Sequence, residues 1–110
     1  MFRKLLLVLA ALLLLPGLLL AQDGKLRGKV TDRESGEALI GANVTVEGTS
    51  LGAATDVNGE YVILSVIPGT YTVKATYIGY SPITVSNIIV NSGLTTTADL
   101  KMVSSAVQVQ

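Results

Sequence analysis

From Lys25 to Met102 the chain alternates apolar and polar residues almost without a break. Turn-forming residues interrupt the alternation about every 8–12 positions. A period of two belongs to a strand with one face in a core and the other in water. Repeated short strands at this spacing fold as a sandwich or a barrel. No segment of this region carries an apolar stripe at helical spacing long enough for a helix. The expectation is an all-β domain.

The strands can be placed from the pattern. Leu26, Gly28 and Val30 share one face of Lys25–Asp32, with charges on the other. Arg33 to Glu37 is a polar turn in which Gly36 supplies positive φ. Ala42–Val46 alternates again and ends at Glu47-Gly48-Thr49. A short strand near Gly52–Thr55 leads into Asp56-Val57-Asn58-Gly59, a hairpin signal because Asn-Gly accepts left-handed backbone. Glu60–Ile63 follows, then the turn at Pro68-Gly69. Thr70–Tyr77 is rich in β-branched and aromatic residues, the composition strands favour, and Ile78–Pro82 breaks it. Ile83–Val90 reads as one strand with a bulge at Ser86-Asn87, and Thr95–Met102 as a last one after Asn91-Ser92-Gly93. Seven strands make a sandwich.

Residues 1–21 are a different material. Arg3 and Lys4 precede an eleven-residue apolar run, Leu5–Leu15, and a Pro16-Gly17 break leads to Leu18–Ala21. A basic start, an apolar middle and a small residue at the end describe a secretory signal peptide. The rival reading is an uncleaved anchor, but Leu5–Ala21 has only seventeen residues with Pro and Gly inside, marginal for a ~30 Å hydrocarbon core. The organisation read here is a signal peptide at 1–21, a sandwich at 22–102 and an extended tail or linker at 103–110. Such a chain is exported.

Composition excludes several chemistries. The 110 residues contain neither His nor Cys, so the ordinary base, thiolate and zinc ligands are missing. Formal net charge is zero, and with Arg3 and Lys4 in the leader the remainder carries two more acidic than basic side chains. Nucleic acid, which needs concentrated Lys and Arg, is not an expected partner. Abundant Ser and Thr have no evident activator. No catalytic residue, cofactor or metal is expected. An exported domain without disulfides must be held by packing alone.

Set in order, the punctuating residues form a series. It runs Gly28-x-Val30-x-Asp32, Gly36, then Leu39-Ile40-Gly41-Ala42-x-Val44-x-Val46-x-Gly48-Thr49. It continues with Gly52-x-x-Thr55-Asp56-x-Asn58-Gly59-x-Tyr61, Pro68-Gly69-x-Tyr71 and Ile78-Gly79-Tyr80. This series resembles the carboxypeptidase regulatory-like domain, a transthyretin-like (prealbumin-like) β-sandwich, over nearly all of Leu26–Met102. The resemblance implies a seven-stranded sandwich without peptidase residues of its own. In exported bacterial proteins such domains often follow a signal peptide and precede a TonB-dependent outer-membrane receptor. It therefore implies a protein partner: a receptor plug and barrel, or a periplasmic protein. The setting it implies is periplasmic or outer-membrane associated, and the membrane is then met only through the leader or an attached receptor.

The residues singled out are Gly28, Asp32, Gly36, Gly41, Gly48, Asp56, Asn58, Gly59, Gly69, Tyr71, Gly79 and Tyr80. Each has a scaffold reading. Gly28 marks a close backbone approach or a bulge, Asn58-Gly59 and Pro68-Gly69 fix hairpin register, and Gly79-Tyr80 bends the chain while the ring covers the edge of the core. Asp56–Glu60 invites a calcium reading, but the twelfth position of such a loop falls on Ile67, which cannot ligate. Lys25, Arg27 and Lys29 share a strand face and read as a charged edge guarded against aggregation, with docking to an acidic partner as the minority reading. Asn43-Val44-Thr45 spells a glycosylation sequon inside a strand and is read as chance. The alternative function is a stand-alone carbohydrate- or surface-binding module, for which Tyr80 and Tyr61 are the candidate exposed pair.

Overall fold

The computed structural model describes residues 22–105. In chain order the strands are β1 (Gly24–Asp32), β2 (Asn43–Val46), β3 (Gly52–Ala54), β4 (Glu60–Val66), β5 (Gly69–Thr76), β6 (Ile83–Val90), β7 (Thr95–Thr97) and β8 (Leu100–Met102). They make two sheets, β4-β1-β7 with β8 also beside β1, and β3-β2-β5-β6. The all-β sandwich expected from the alternation is the fold. Residues 1–21 and 106–110, where the leader and the end of the tail were placed, lie outside the described residues.

The alternation sets the faces as expected. On β1, Gly24, Leu26, Gly28 and Val30 are buried while Lys25, Arg27 and Lys29 are exposed. Across the core they meet Val44 and Val46 from β2 and Val73 and Ala75 from β5. Tyr61, Ile63 and Val66 come from β4, and Leu100 and Met102 from β8. Each fully buried side chain of this size contributes ~1.5–3 kcal/mol. Among the described residues no buried side-chain polar atom lacks a hydrogen-bond partner.

Two bulges keep the inward faces in step. The pairing of β5 with β6 shifts between Tyr71 and Val73, opposite Ser86-Asn87 where the bulge was expected, and Asn87 has φ 62°. A second shift falls between Gly24 and Leu26, opposite Ser65 with φ 59° on β4. The extra residue lets Ile63 and Val66 both point inward at a spacing of three.

The expected last strand is present as two pieces. At the break the N–H of Lys29 donates to the Asp99 carboxylate at 3.0 Å, a side chain standing where a carbonyl would. Both pieces lie parallel to β1.

Two expectations about neighbours are corrected. Asn58-Gly59 and Pro68-Gly69 are turns but not hairpins: β3 and β5 belong to one sheet and β4 to the other. Both turns carry the chain from sheet to sheet. Lys25, Arg27 and Lys29 do not guard an edge, because β1 is the middle strand, with β4 on one side and β7 and β8 on the other. Turn chemistry fixes where a chain reverses, and strand pairing is decided by the core that forms afterwards.

Candidate functional site

Of the residues singled out from the sequence, Asp32, Gly36, Gly41, Gly79 and Tyr80 meet at one corner of the sandwich. Asp32 closes β1. Its Oδ1 accepts the N–H groups of Glu34 and Ser35 at 2.8 and 3.0 Å, which shapes the turn that Gly36 completes at φ 76°. Its Oδ2 accepts the hydroxyl of Tyr80 at 2.5 Å. The two residues are 48 positions apart and tie the end of one sheet to the β5–β6 loop of the other.

That loop is built by its own backbone. The N–H of Tyr80 donates to the carbonyl of Tyr77 at 3.1 Å, and Gly79 sits at φ 84°, where a side chain would be strained. The end of the described chain lies along it: Ser81 N–H donates to Val103 O at 3.0 Å and Ser105 N–H to Gly79 O at 2.9 Å. The rings of Tyr77 and Tyr80 lie 5.5 Å apart at 52°. Together with Gly41, Asn43, Thr76, Ile78 and Pro82 they line an open cleft of about 390 Å³. Ile78, at its rim, is 95% exposed.

The Tyr80 hydrogen bond, helped by the Ser35 and Glu34 amides, holds the Asp32 carboxyl below the usual carboxylate range. The same bond pushes the Tyr80 hydroxyl up to about 12. Each group thus holds the other in its neutral-pH form. Neither is poised to take or give a proton near pH 7.

A second set of motif residues fastens the β3–β4 turn. Asp56 Oδ1 accepts from Asn58 N–H at 2.8 Å and Glu60 N–H at 3.0 Å, and Gly59 turns at φ 75°. A Cβ on Gly59 would also meet Ala38 Cβ at 2.8 Å and Val30 O at 2.9 Å. Asp56 Oδ1 is thus engaged by main chain on both sides of the turn. Among the described residues no cluster of three or more carboxylates, His or Cys is placed to hold a metal.

Gly28 is the close approach and not the bulge: a Cβ there would stand 1.9 Å from Ala98 O. Gly41 lines the cleft, whereas Gly48 turns the β2–β3 hairpin at φ 79°. Gly69 opens β5. The hydroxyl of Tyr71 donates to the Ile67 carbonyl. These last three have no part in the corner.

Tyr61 is corrected. It is 1% exposed, and its hydroxyl donates to Ala98 O at 2.5 Å. The ring beside Tyr80 at the cleft is Tyr77, which is half-buried and packed against the core. Sequence reading also passed over Thr55, although it stands in the motif series. It is a buried polar residue whose hydroxyl donates to Leu39 O at 2.5 Å and accepts from Ala42 N–H at 2.9 Å. Its neighbours Gly52 and Asp56 were the only signal available.

Fold and site together define a β-sandwich module whose distinctive side chains fasten loops and present a shallow aromatic corner. The chain belongs to the carboxypeptidase regulatory-like domain family, whose model matches residues 25–103. Among curated proteins it is similar to carboxypeptidase D of Homo sapiens, at 33% identity over 76 residues. The match covers 69% of this chain but 5% of that protein. Carboxypeptidase D of Mus musculus is 34% identical over 77 residues, again 6% of its length.

Among solved structures, a chain of a type II cohesin–X-dockerin complex from Acetivibrio cellulolyticus superposes with a TM-score of 0.63. The identity is 27%, over 72% of this chain and 56% of that one. A Bacteroides uniformis protein provisionally assigned to carbohydrate binding superposes at 0.59 with 23% identity, over 76% of this chain and 42% of that one. This second likeness concerns the fold.

Proposed function

We propose that this chain is a non-catalytic, exported accessory domain that works by protein contact, as the N-terminal extension of a TonB-dependent outer-membrane receptor. The observation that carries the reading is what the motif residues are doing. Asp32, Asp56 and Tyr80 are engaged with backbone or with each other, and the glycines serve turns and one close approach. The polar groups that would mark an active site are committed to the fold. A leader-like segment ahead of the domain and an alternating tail behind it, Val107-Gln108-Val109-Gln110, fit an extension that continues into a larger receptor. On this reading it works in the periplasm.

The test is the reading frame beyond Gln110 and its neighbourhood. A frame encoding a plug and a barrel supports the reading, and a stop codon with no barrel-coding frame nearby removes the receptor.

A second reading, a carbohydrate- or surface-binding module, is favoured by one observation: Tyr77 and Tyr80 line an open cleft together. Tilted rings 5.5 Å apart offer edges and part of one face rather than a flat platform. Calorimetric titration against a glycan panel decides it; a flat response across the panel ends this reading.

A further inference from the structure

Two open sheets have four edges, and three of them are blunted. β3 has only three residues. β6 begins directly after Pro82 and is bulged at Asn87. The β7–β8 edge is broken at Ala98-Asp99, where a carboxylate enters the ladder. Short, bulged or charged edges are how sheets avoid pairing with one another. The β4 edge has no such device in its middle: Glu60–Val66 contains no Lys, Arg or Pro, and its bulge lies at the far end.

The direction of the β4 backbone follows from the bonds on β1. Val30 N–H donates to Gly59 O at 2.8 Å, toward β4. Lys25 N–H donates to Leu94 O at 3.0 Å and Arg27 O accepts from Ala98 N–H at 2.8 Å, both toward β7. Even-numbered residues of β1 therefore bond β4. Gly28 lies opposite Tyr61 and Leu26 opposite Ile63, so those two use their main-chain groups on β1. Glu60, Val62 and Leu64 turn theirs to the free side. Those of Glu60 are engaged with Asp56, whose Oδ1 accepts at 3.0 Å and whose N–H donates at 2.9 Å. Among the described residues those of Val62 and Leu64 remain, and their side chains stand on the outer face, 47% and 60% exposed.

We propose that this edge pairs with the same edge of a second copy, antiparallel about a twofold axis through Ile63. The axis sets Val62 opposite Leu64 of the partner subunit and the reverse. Both become hydrogen-bonded pairs, and every free main-chain group of Val62 and Leu64 finds a partner. The four half-exposed apolar side chains meet in one patch, a self-complementary joint of the kind a twofold requires. Charge permits it. The bulge at Ser65 ends the regular ladder, so Glu60 lies outside the paired stretch and does not stand opposite another carboxylate. The two Lys25–Arg27–Lys29 columns stand three strand spacings apart, about 14 Å, beyond the ~8 Å screening length of physiological salt. So few contacts fall well short of the ~1,200 Å² of a standard interface, so the pair is weak and forms with concentration. A β4 pair holds whether or not the chain is joined to a receptor.

The sequence has no Cys, so introduced thiols report contact cleanly. Full-length Val62→Cys and Leu64→Cys chains are expressed separately in an exporting host, mixed in equal amounts and oxidised. They are expected to give several-fold more mixed dimer than Leu64→Cys mixed with Ile78→Cys, a thiol at a more exposed position. Sedimentation equilibrium of the unsubstituted chain should show monomer and dimer exchanging at high micromolar concentration. Leu64→Lys should weaken the dimer by about tenfold or more with an unchanged circular dichroism spectrum. Equal cross-linking in the two mixtures, or an unsubstituted chain monomeric to about 1 mM, overturns the pairing.

Discussion

Tyr61 and Tyr80 each reach across the fold with a hydroxyl, and both hydroxyls are raised to about 12. The causes differ. Burial leads at Tyr61, with Asp99 adding to it, and its bond goes to a carbonyl at the Ala98 break. At Tyr80 the leading cause is the hydrogen bond to Asp32 at a half-exposed corner. One tyrosine is part of a packed seam, the other half of a charged clasp. The seam should answer to volume and the clasp to pH, although the two look alike on the alkaline side.

The seam breaks hardest. Gly28→Ala drives a methyl group into Ala98 O and to 2.9 Å from the Tyr61 ring. Chemical denaturation should record a loss of about 3 kcal/mol, the upper part of the overpacking range, because the obstacle is backbone. Tyr61→Phe keeps the ring and removes the hydroxyl, leaving Ala98 O without that partner. The expected cost is ~1–2 kcal/mol by the same measurement. Tyr80→Phe should lower the melting temperature by less than Tyr61→Phe, since water can reach the vacated Asp32 oxygen.

The pH profile sharpens the contrast. A lowered Asp32 pKa means that its contribution is complete above the ordinary carboxylate value of about 3.9 and is lost as pH falls through the depressed folded value. Raised tyrosines work in the other direction. Their contributions are complete below about 10 and disappear as pH climbs through about 12. Thermal melts from pH 7 down to 2 should therefore fall less steeply for Tyr80→Phe than for the unsubstituted chain, and equally steeply for Tyr61→Phe. Between pH 10 and 12 both variants should fall less steeply.

Much of this was legible in the sequence, and the limit has a physical origin. Period two assigns faces, so the shared face of Leu26, Gly28 and Val30 is the buried one as expected, and Asn87 announced its bulge. The same period is silent on neighbours. It could not tell that β1 is a middle strand or that the turn at Asn58-Gly59 leads to the opposite sheet. Nor does alternation separate a ring buried at 1% from a half-buried one, so Tyr61 was read as exposed, and the part of Tyr77 that lines the cleft while the ring packs on the core was not seen. The Asp32–Tyr80 clasp joins residues 48 apart, and only the folded chain brings them to 2.5 Å. Both had been singled out, but only as separate members of the motif series.

The central claim is that the motif residues act on the fold rather than on a ligand, and a double-mutant cycle on Asp32→Asn and Tyr80→Phe tests it most directly. Denaturation of the unsubstituted chain, both single variants and the double variant is measured at pH 7, with titration of each against the same glycan panel. The account predicts that the double variant loses clearly less stability than the two single losses added together, with no glycan response in any of the four. Strictly additive stability losses, or stability untouched while a glycan response present in the unsubstituted chain disappears, would contradict it.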